Sequence, residues 1–392
     1  VVLSQSALII ETFARCAEAY AGPALSRKMP RLRLASASWV GGCLVADVDN
    51  RFEGVAVATM VDVAELAGVS TSTVSHVLNG TRHVGDDARS RVLAAIASTG
   101  YRQDALARAL RRSKTDSIGL VLSDAGEPAF ADMAHGVEMG AAKSDLTLLL
   151  ANSSEQADRE LAAVRTLLER RVDGLILARA ADSSDDVLDL VREAKVPLVL
   201  LDRLDDTAAV DQVGAENRES MHRLIAELES NGYRRFALLA GDTRVPSLRE
   251  RREGFFEGVE AHGLLAPVVI DGAERREAER MEAELRAALR EGACDCVIAC
   301  STPLAALALS VIRHEGLRIP DDVGFAVYDG FPYPDLFEPA LTTVRQHAID
   351  MGREAVELLT RRIAAPDERP RTVRLRQDLE VRDSTRRRAA TA

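Results

Sequence analysis

Thr71, Ser72, Ser75 and His76 put three hydroxyls and an imidazole within six residues. Groups of this kind are short donors and acceptors, suited to meeting base edges in a DNA groove rather than to nucleophilic or metal chemistry. They need a rigid element to present them. The segment MVDVAELAGVSTSTVSHVLNG, from Met60 to Gly80, predicts one. Asp62–Ala67 carries apolar residues at helical spacing. Gly68 ends that helix, because glycine accepts the left-handed backbone of a tight turn. Ser70 starts the next helix as an N-cap. Val74, Val77 and Leu78 give it one buried face, leaving Thr71, Ser72, Ser75 and His76 on the other. A helix, a glycine turn and a second helix with a polar outward face make a DNA-reading helix-turn-helix.

A third helix is predicted after Gly85, with Asp86 and Asp87 favourable at its positive end and Val92, Leu93 and Ile96 as its buried face. Gly100 terminates it. Asp104–Arg112 follows as a short linker helix, capped by Asp104 and marginal alone. From Ile118 onward short apolar runs alternate with amphipathic helices. The strands expected are Ile118–Leu122, Leu146–Leu150, Gly174–Leu177, Leu198–Leu201, Phe236–Ala240, Cys296–Cys300 and Phe325–Tyr328, with Arg159–Glu169 and Ser220–Glu229 among the helices. Continuously apolar runs are those of parallel strands buried on both faces. Repeated β-α units near 117–215 and 218–335 predict a doubly wound core of two lobes.

The 392 residues predict two or three domains, and 47% apolar residues supply sizeable cores. No apolar run reaches the roughly 18 residues of a membrane span. A net charge of −11 argues against a nucleic-acid partner, but charge is unevenly placed. Arg102, Arg108, Arg111, Arg112 and Lys114 stand against Asp104 alone between 102 and 114, and phosphate contact needs only a local positive face. Cys294, Cys296 and Cys300 share one face of a predicted strand. They read as small buried thiols rather than metal or redox ligands, with Cys16 and Cys43 far off in the N-terminus, and the set points to a reducing cytoplasm. No metal or cofactor spacing stands out, nor does a P-loop, a G-x-G-x-x-G after a strand or a Ser-His-Asp set, so no enzyme is expected.

The Met60–Gly80 segment resembles the N-terminus of the lactose-repressor (LacI/GalR) family of bacterial transcription regulators. The likeness continues in ARSRVLAAIASTGY (88–101), DALARALRRSKTDSIGLVLSD (104–124), RRVDGLIL (170–177) and VPLVLLDR (196–203). VGAENRES, ERREGF, GLRIPDDVGF and PALTTVRQ follow in the family's order, so the resemblance spans about 57 to 385. It implies an all-α helix-turn-helix headpiece over 57–103, a hinge helix and linker over 104–116, and an α/β two-lobed periplasmic-binding-protein-like core with parallel sheets over 117–385. The core would bind effector and dimerise, the chain would cross between its lobes three times, and 386–392 would be a tail. Residues 1–56 fall outside the pattern. They read as a mis-set start or a disordered extension, or else as an appendage with its own role.

The resemblance also assigns roles. Thr71, Ser72 and His76 would read bases. His76 stands where many members have arginine, and it makes one contact where arginine clamps guanine with two. Thr59, Ser70, Thr73, Asn79 and Arg82 are candidates for DNA-backbone contacts. Leu110, flanked by Ala107 and Ala109, falls where the family's hinge leucine enters the minor groove, although packing within the helix would also suit it. Phe130, Arg251 and Asp329 sit at cleft positions, able to stack on, donate to and accept from a ligand. Asp124, Asp202, Glu216 and Asn217 are secondary candidates. The implied partners are a pseudo-palindromic double-stranded DNA operator, a second copy of the chain as a homodimer, and a small-molecule effector of the sugar or sugar-derivative class. Two departures argue for a different or larger ligand. Ser301–Thr302 stands where Asn-Asp is usual, and Glu127–Pro128–Ala129–Phe130 where Asn-Pro-Phe-Phe is usual. The expectation is a DNA-binding, ligand-responsive transcriptional repressor. The alternative is a solute-binding protein with the same two-lobed core.

Overall fold

The computed structural model describes residues 36–40, 43–47, 58–80, 82–101 and 114–387. The chain divides into two compact units, residues 1–103 and 104–392. In the first, β1 (Ser36–Val40) and β2 (Cys43–Asp47) pair as an antiparallel hairpin inside the stretch expected to be an extension. The rest of residues 1–56 lies outside the described residues, as do Ala107, Leu110, Arg111 and Arg112 of the expected hinge.

Three helices follow: α1 (Met60–Ala67), α2 (Thr71–Asn79) and α3 (Asp86–Thr99). Thr59 caps α1 in a reciprocal box. Its backbone N–H donates to Asp62 Oδ2 at 2.7 Å, and the Asp62 N–H donates to Thr59 Oγ1 at 3.4 Å. The Thr59 backbone N–H foremost, and then the Thr59 hydroxyl, which donates to Asp62 Oδ2 at 2.8 Å, hold the Asp62 carboxyl below its usual range. Gly68 closes α1 with φ of +62°. That backbone lets the chain reverse within Gly68–Ser70. Val63, Ala64, Ala67, Val74, Val92 and Ala95 form the small core, with Val77, Leu78 and Ile96 packed on it. Leu93 does not belong to the buried face of α3 as expected. It is 50% exposed, and Ala95 takes its place.

The second unit holds two six-stranded sheets of the same topology. The first lobe has strand order β13-β7-β6-β5-β3-β4, and the second β14-β12-β11-β10-β8-β9. The ranges for the first are β3 Ser117–Leu122, β4 Thr147–Asn152, β5 Gly174–Leu177, β6 Leu198–Leu201, β7 Asp211–Ala215 and β13 Thr372–Leu375. Those for the second are β8 Phe236–Gly241, β9 Val268–Asp271, β10 Cys296–Ala299, β11 Gly324–Tyr328, β12 Thr342–Arg345 and β14 Asp378–Glu380. All pairings are parallel except that of β14 with β12. The expected continuous burial holds for β3, β5, β6, β8, β10 and β11. β4 departs from it: it is the edge strand of its sheet, and none of its residues is fully buried. The lobes also reach beyond the two stretches expected from sequence. After β12 the chain returns to the first lobe as α11 (Ala348–Ala364) and β13, then crosses back as β14. With the β7-to-α7 passage (α7, Asn217–Ser230), the chain passes between the sheets three times.

The helices of the first lobe are α4 (Pro128–Lys143), α5 (Ala157–Glu169), α6 (Asp186–Ala194) and α11; those of the second are α7, α8 (Pro246–Ala261), α9 (Glu274–Arg290) and α10 (Thr302–His314). The crossing of α4 and α11 is unusually close. A Cβ on Gly136 would overlap the Ile349 carbonyl, and one on Gly352 would overlap that of Met133. Two glycines therefore let the helix backbones touch.

Candidate DNA-reading helix and interlobe cleft

In the first unit, Ser70 Oγ accepts the Thr73 N–H at 3.2 Å and shares hydrogens with the hydroxyls of Ser72 at 2.8 Å and Thr73 at 2.9 Å. Asn79 Nδ2 donates to the Ser75 carbonyl at 2.8 Å. Thr59, Ser70, Thr71, Ser72 and Arg82 are exposed, and Thr73, His76 and Asn79 are half-buried. Thr71, Ser72 and His76 belong to α2, whose opposite side anchors through buried Val74. The first turn of α2 thus offers hydroxyls and helix N–H groups, a combination suited to phosphate and base acceptors.

In the second unit a cavity of about 230 Å³ lies between the lobes. Parallel strands of one sheet all end at the same edge, and loops from both sheets converge there. Equivalent topology makes the ends equivalent. Asp202 follows β6 and Asp329 follows β11, the matching strands of the two lobes, and both adopt φ of +65°. Both line the cavity. Two like charges converge, and Arg251 on α8 offsets them. Its Nε donates to Asn217 Oδ1 at 2.9 Å, its Nη1 to the Cys300 carbonyl at 2.6 Å and to Asp329 Oδ2 at 3.2 Å. Its guanidinium carbon lies 4.3 Å from the Tyr328 ring centre. Burial opposes its charge, but Asp329, Tyr328 and Asp202 together more than restore it, and the guanidinium stays protonated. Burial pushes the Asp202 carboxyl up, with Arg251 and Arg203 pulling the other way.

Three buried polar atoms on this lining have no partner: Asp202 Oδ1, Gln346 Oε1 and Arg203 Nε. Gln346 is held by its amide, which donates to Asp329 Oδ1. Arg203 is held on its other edge. Its Nη1 donates to Glu155 Oε2 at 2.9 Å and to the Arg179 carbonyl at 2.6 Å, and it lies 5.5 Å over the Phe130 ring. Burial pushes the Glu155 carboxyl up, but the bond to Arg203, the charge of Arg203 and the Ala181 N–H together outweigh that and hold it low. At the mouth, Asp242 and Arg244 pair through Nε and Oδ1 at 3.0 Å.

Of the residues expected at the cleft, Phe130, Asp202, Arg251, Ser301 and Asp329 line the cavity. Asp124, Glu216, Asn217 and Thr302 do not. Asp124 Oδ1 accepts the Gly126 N–H at 3.0 Å, fixing its own turn. Glu216 precedes α7, its N–H bonded to Leu375 in β13. Asn217 supports Arg251 from behind, and Thr302 donates to the Gly330 carbonyl at 2.8 Å. Strand-end position alone does not aim a side chain inward. Arg203 and Gln346 were missed although both close quoted motifs, VPLVLLDR and PALTTVRQ. Glu155 carries no local signal, since its partner is 48 residues away. Cys294, Cys296 and Cys300 are free and buried, and burial pushes the Cys300 thiol up to about 12, so all three pack as apolar groups. Among the described residues no His, Cys, Asp and Glu cluster could hold a metal ion, and no helix is long and apolar enough to cross a membrane.

A compact three-helix unit with a helix-turn-helix, followed by two duplicated α/β lobes around a cavity, defines a DNA-binding regulator with a ligand-binding core. Comparison with known proteins agrees. Residues 59–104 match the bacterial regulatory proteins of the lacI family, and residues 225–385 match the periplasmic binding protein-like domain. The chain is 32% identical over 333 residues to the HTH-type transcriptional repressor PurR of Photobacterium profundum, covering 84% of this chain and 99% of that protein. PurR of Mannheimia succiniciproducens is 31% identical over 332 residues, with the same coverage. Among solved structures, a transcriptional regulator CelR–cellobiose complex is 29% identical with a TM-score of 0.62, covering 83% of this chain and 99% of that one. A Lac repressor dimer bound to operator and the anti-inducer ONPF shares the fold, with a TM-score of 0.74 at 24% identity over 84% of this chain and 99% of that one. The chain belongs to the lacI family of bacterial regulatory proteins. It is a DNA-binding transcriptional repressor of that family, not an enzyme, and the solute-binding alternative is not favoured.

Proposed function

We propose that the chain represses transcription in the cytoplasm as a homodimer on a pseudo-palindromic operator, and that a polyhydroxylated effector in the interlobe cavity sets its operator affinity. Thr71, Ser72 and His76 read base edges, while Thr59, Ser70, Thr73, Asn79 and Arg82 fix register on the backbone. Ala107 and Leu110 would enter the minor groove; they lie outside the described residues. The observation that carries the effector reading is the set of unpartnered buried atoms on one cavity wall, Asp202 Oδ1, Gln346 Oε1 and Arg203 Nε. Unsatisfied buried polar groups are costly, so a ligand that meets them gains that free energy. Two acceptors and one donor fit hydroxyls that donate twice and an oxygen that accepts once. Phe130 and Met133 can take the ligand's apolar face. Similarity to the cellobiose complex supports the same class.

An effector shifts the repressor only by binding one arrangement of the lobes better than another. Calorimetry with mono- and disaccharides, paired with gel-shift on DNA beside the chain's own gene, tests this. Asp329→Asn should lose effector affinity and response while operator affinity stays near that of the parent. Full effector affinity in both Asp329→Asn and Asp202→Asn would remove the cleft from the switch.

A further inference from the structure

The first lobe carries a charged edge that the cleft does not use. Its parallel strands all begin there, opposite the cavity, and the chain enters the lobe at the same edge, at Lys114 before β3. A shallow hollow of about 410 Å³ is lined there by Lys114, Arg171 and Lys195 over an apolar floor that includes Val172 and Ile363. The one acid in the lining is Asp173. Its carboxylate is occupied by the chain itself, accepting the Thr115 N–H at 2.9 Å and the Asp116 N–H at 2.8 Å. Lys114, Arg171 and Lys195 are exposed, and none has an ion-pair partner among the described residues. Arg171 and Lys195 follow the ends of α5 and α6 with φ of 58° and 55°. Cations at helix C-termini complement the helix dipole. That accounts for two of them separately, but not for their convergence with Lys114, which follows no described helix.

We propose that this edge binds the phosphate backbone of the DNA duplex on which the recognition helix sits. On a chain of net charge −11 such a local concentration of unpaired cations is a site for a polyanion. The same chain carries a unit that binds such a polyanion. Tyr101, the last described residue of the helix-turn-helix unit, precedes Lys114 by 13 residues, a tether of at most about 45 Å when fully extended. The inference rests on DNA binding by that unit. The hollow is shallow and the cations flexible, which suits backbone charge rather than base reading.

The test is operator affinity of the full-length protein by fluorescence anisotropy from 50 to 200 mM salt. Replacing Lys114, Arg171 and Lys195 together by Gln should weaken binding at least about tenfold at low salt and flatten the log affinity against log salt slope by about 1 for each cation lost, counted in both protomers of the dimer, or about 2 per position. Base preference in a binding selection should stay unchanged, and so should effector affinity. Lys195→Arg should retain the parent slope, and Lys195→Gln alone, which removes one lysine from each protomer, should flatten it by about 2. An unchanged slope in folded triple and single variants would overturn the proposal. Loss of base preference in the triple variant would also overturn it, by showing that the recognition helix itself had moved. If the parent bound no operator at all, the DNA-binding reading would fail first.

Discussion

The α2 surface and the interlobe cavity hold their polar residues in opposite ways. On α2 the groups are exposed or half-buried, and their bonds are local. Ser70 meets Thr73 three residues on, and Asn79 meets Ser75 four residues back. In the cavity the groups are buried and their bonds are distant. Arg251 meets Asn217 across 34 residues and Asp329 across 78. A reading surface must shed water quickly and meet many phosphates, so each group does little alone. A buried site concentrates its stability in a few charges that depend on one another. Damage to the first should therefore be mild and graded, and damage to the second severe.

That contrast is broken most directly by Arg251→Ala. The change strands Asp329 without its cation, takes away one of the two arginines whose charge acts on Asp202, and removes three hydrogen bonds. A loss of about 3–5 kcal/mol is expected in urea unfolding of the core, the range for one partner of a buried pair. A loss under about 1 kcal/mol would place Arg251 among surface ion pairs and erase the distinction. Ser70→Ala probes the other side. Loss of the cap should cost about 1 kcal/mol, seen as faster hydrogen exchange at Thr73 with the core unaffected, and Ser70→Asp should keep most of the protection. Equal exchange in parent and Ser70→Ala would show that the cap contributes nothing.

The smallest effect sharpens the comparison through pH. Burial raises the Asp202 carboxyl above its unfolded value of 3.8. The folded protein then holds this proton more firmly than the unfolded chain. Stability from the group is full below that unfolded value and falls as pH rises through the raised one. Asp202→Asn, which has no charge to bury, should melt about 2–4 °C above the unliganded parent near neutral pH, with the gap closing toward pH 4. A gap that did not change with pH would mean the carboxylate is not the cause.

Legibility in the sequence follows the same division. The helix-turn-helix could be read because its caps and apolar spacing act within four residues, and Gly68, Ser70 and Val74 take the roles their spacing gives them. Leu93 failed the reading because helical periodicity places a residue on a face without saying how wide the core beneath it is. The central strands were legible from apolar runs. β7, β9, β12, β13 and β14 were not, since strands such as DQVGA and DLE carry too few consecutive apolar residues. At the cavity, residue identity came through while aim did not. Asp124 and Asp202 both end strands of one sheet, yet only the second turns inward, through a left-handed backbone that spacing cannot reveal.

The glycine contact between α4 and α11 also bears on how the protein is made. The first lobe's sheet is largely written by residue 215, but α11, which covers Leu359 and Met351 against that sheet and α4, is written only at 348–364. On the ribosome the early lobe must wait, its apolar flank open, while most of the later lobe emerges. The late lobe has five of its six strands in hand by residue 345. The half of the core encoded second is therefore the one equipped to close first, and the nascent chain carries its greatest exposure to aggregation in the interval before α11 arrives.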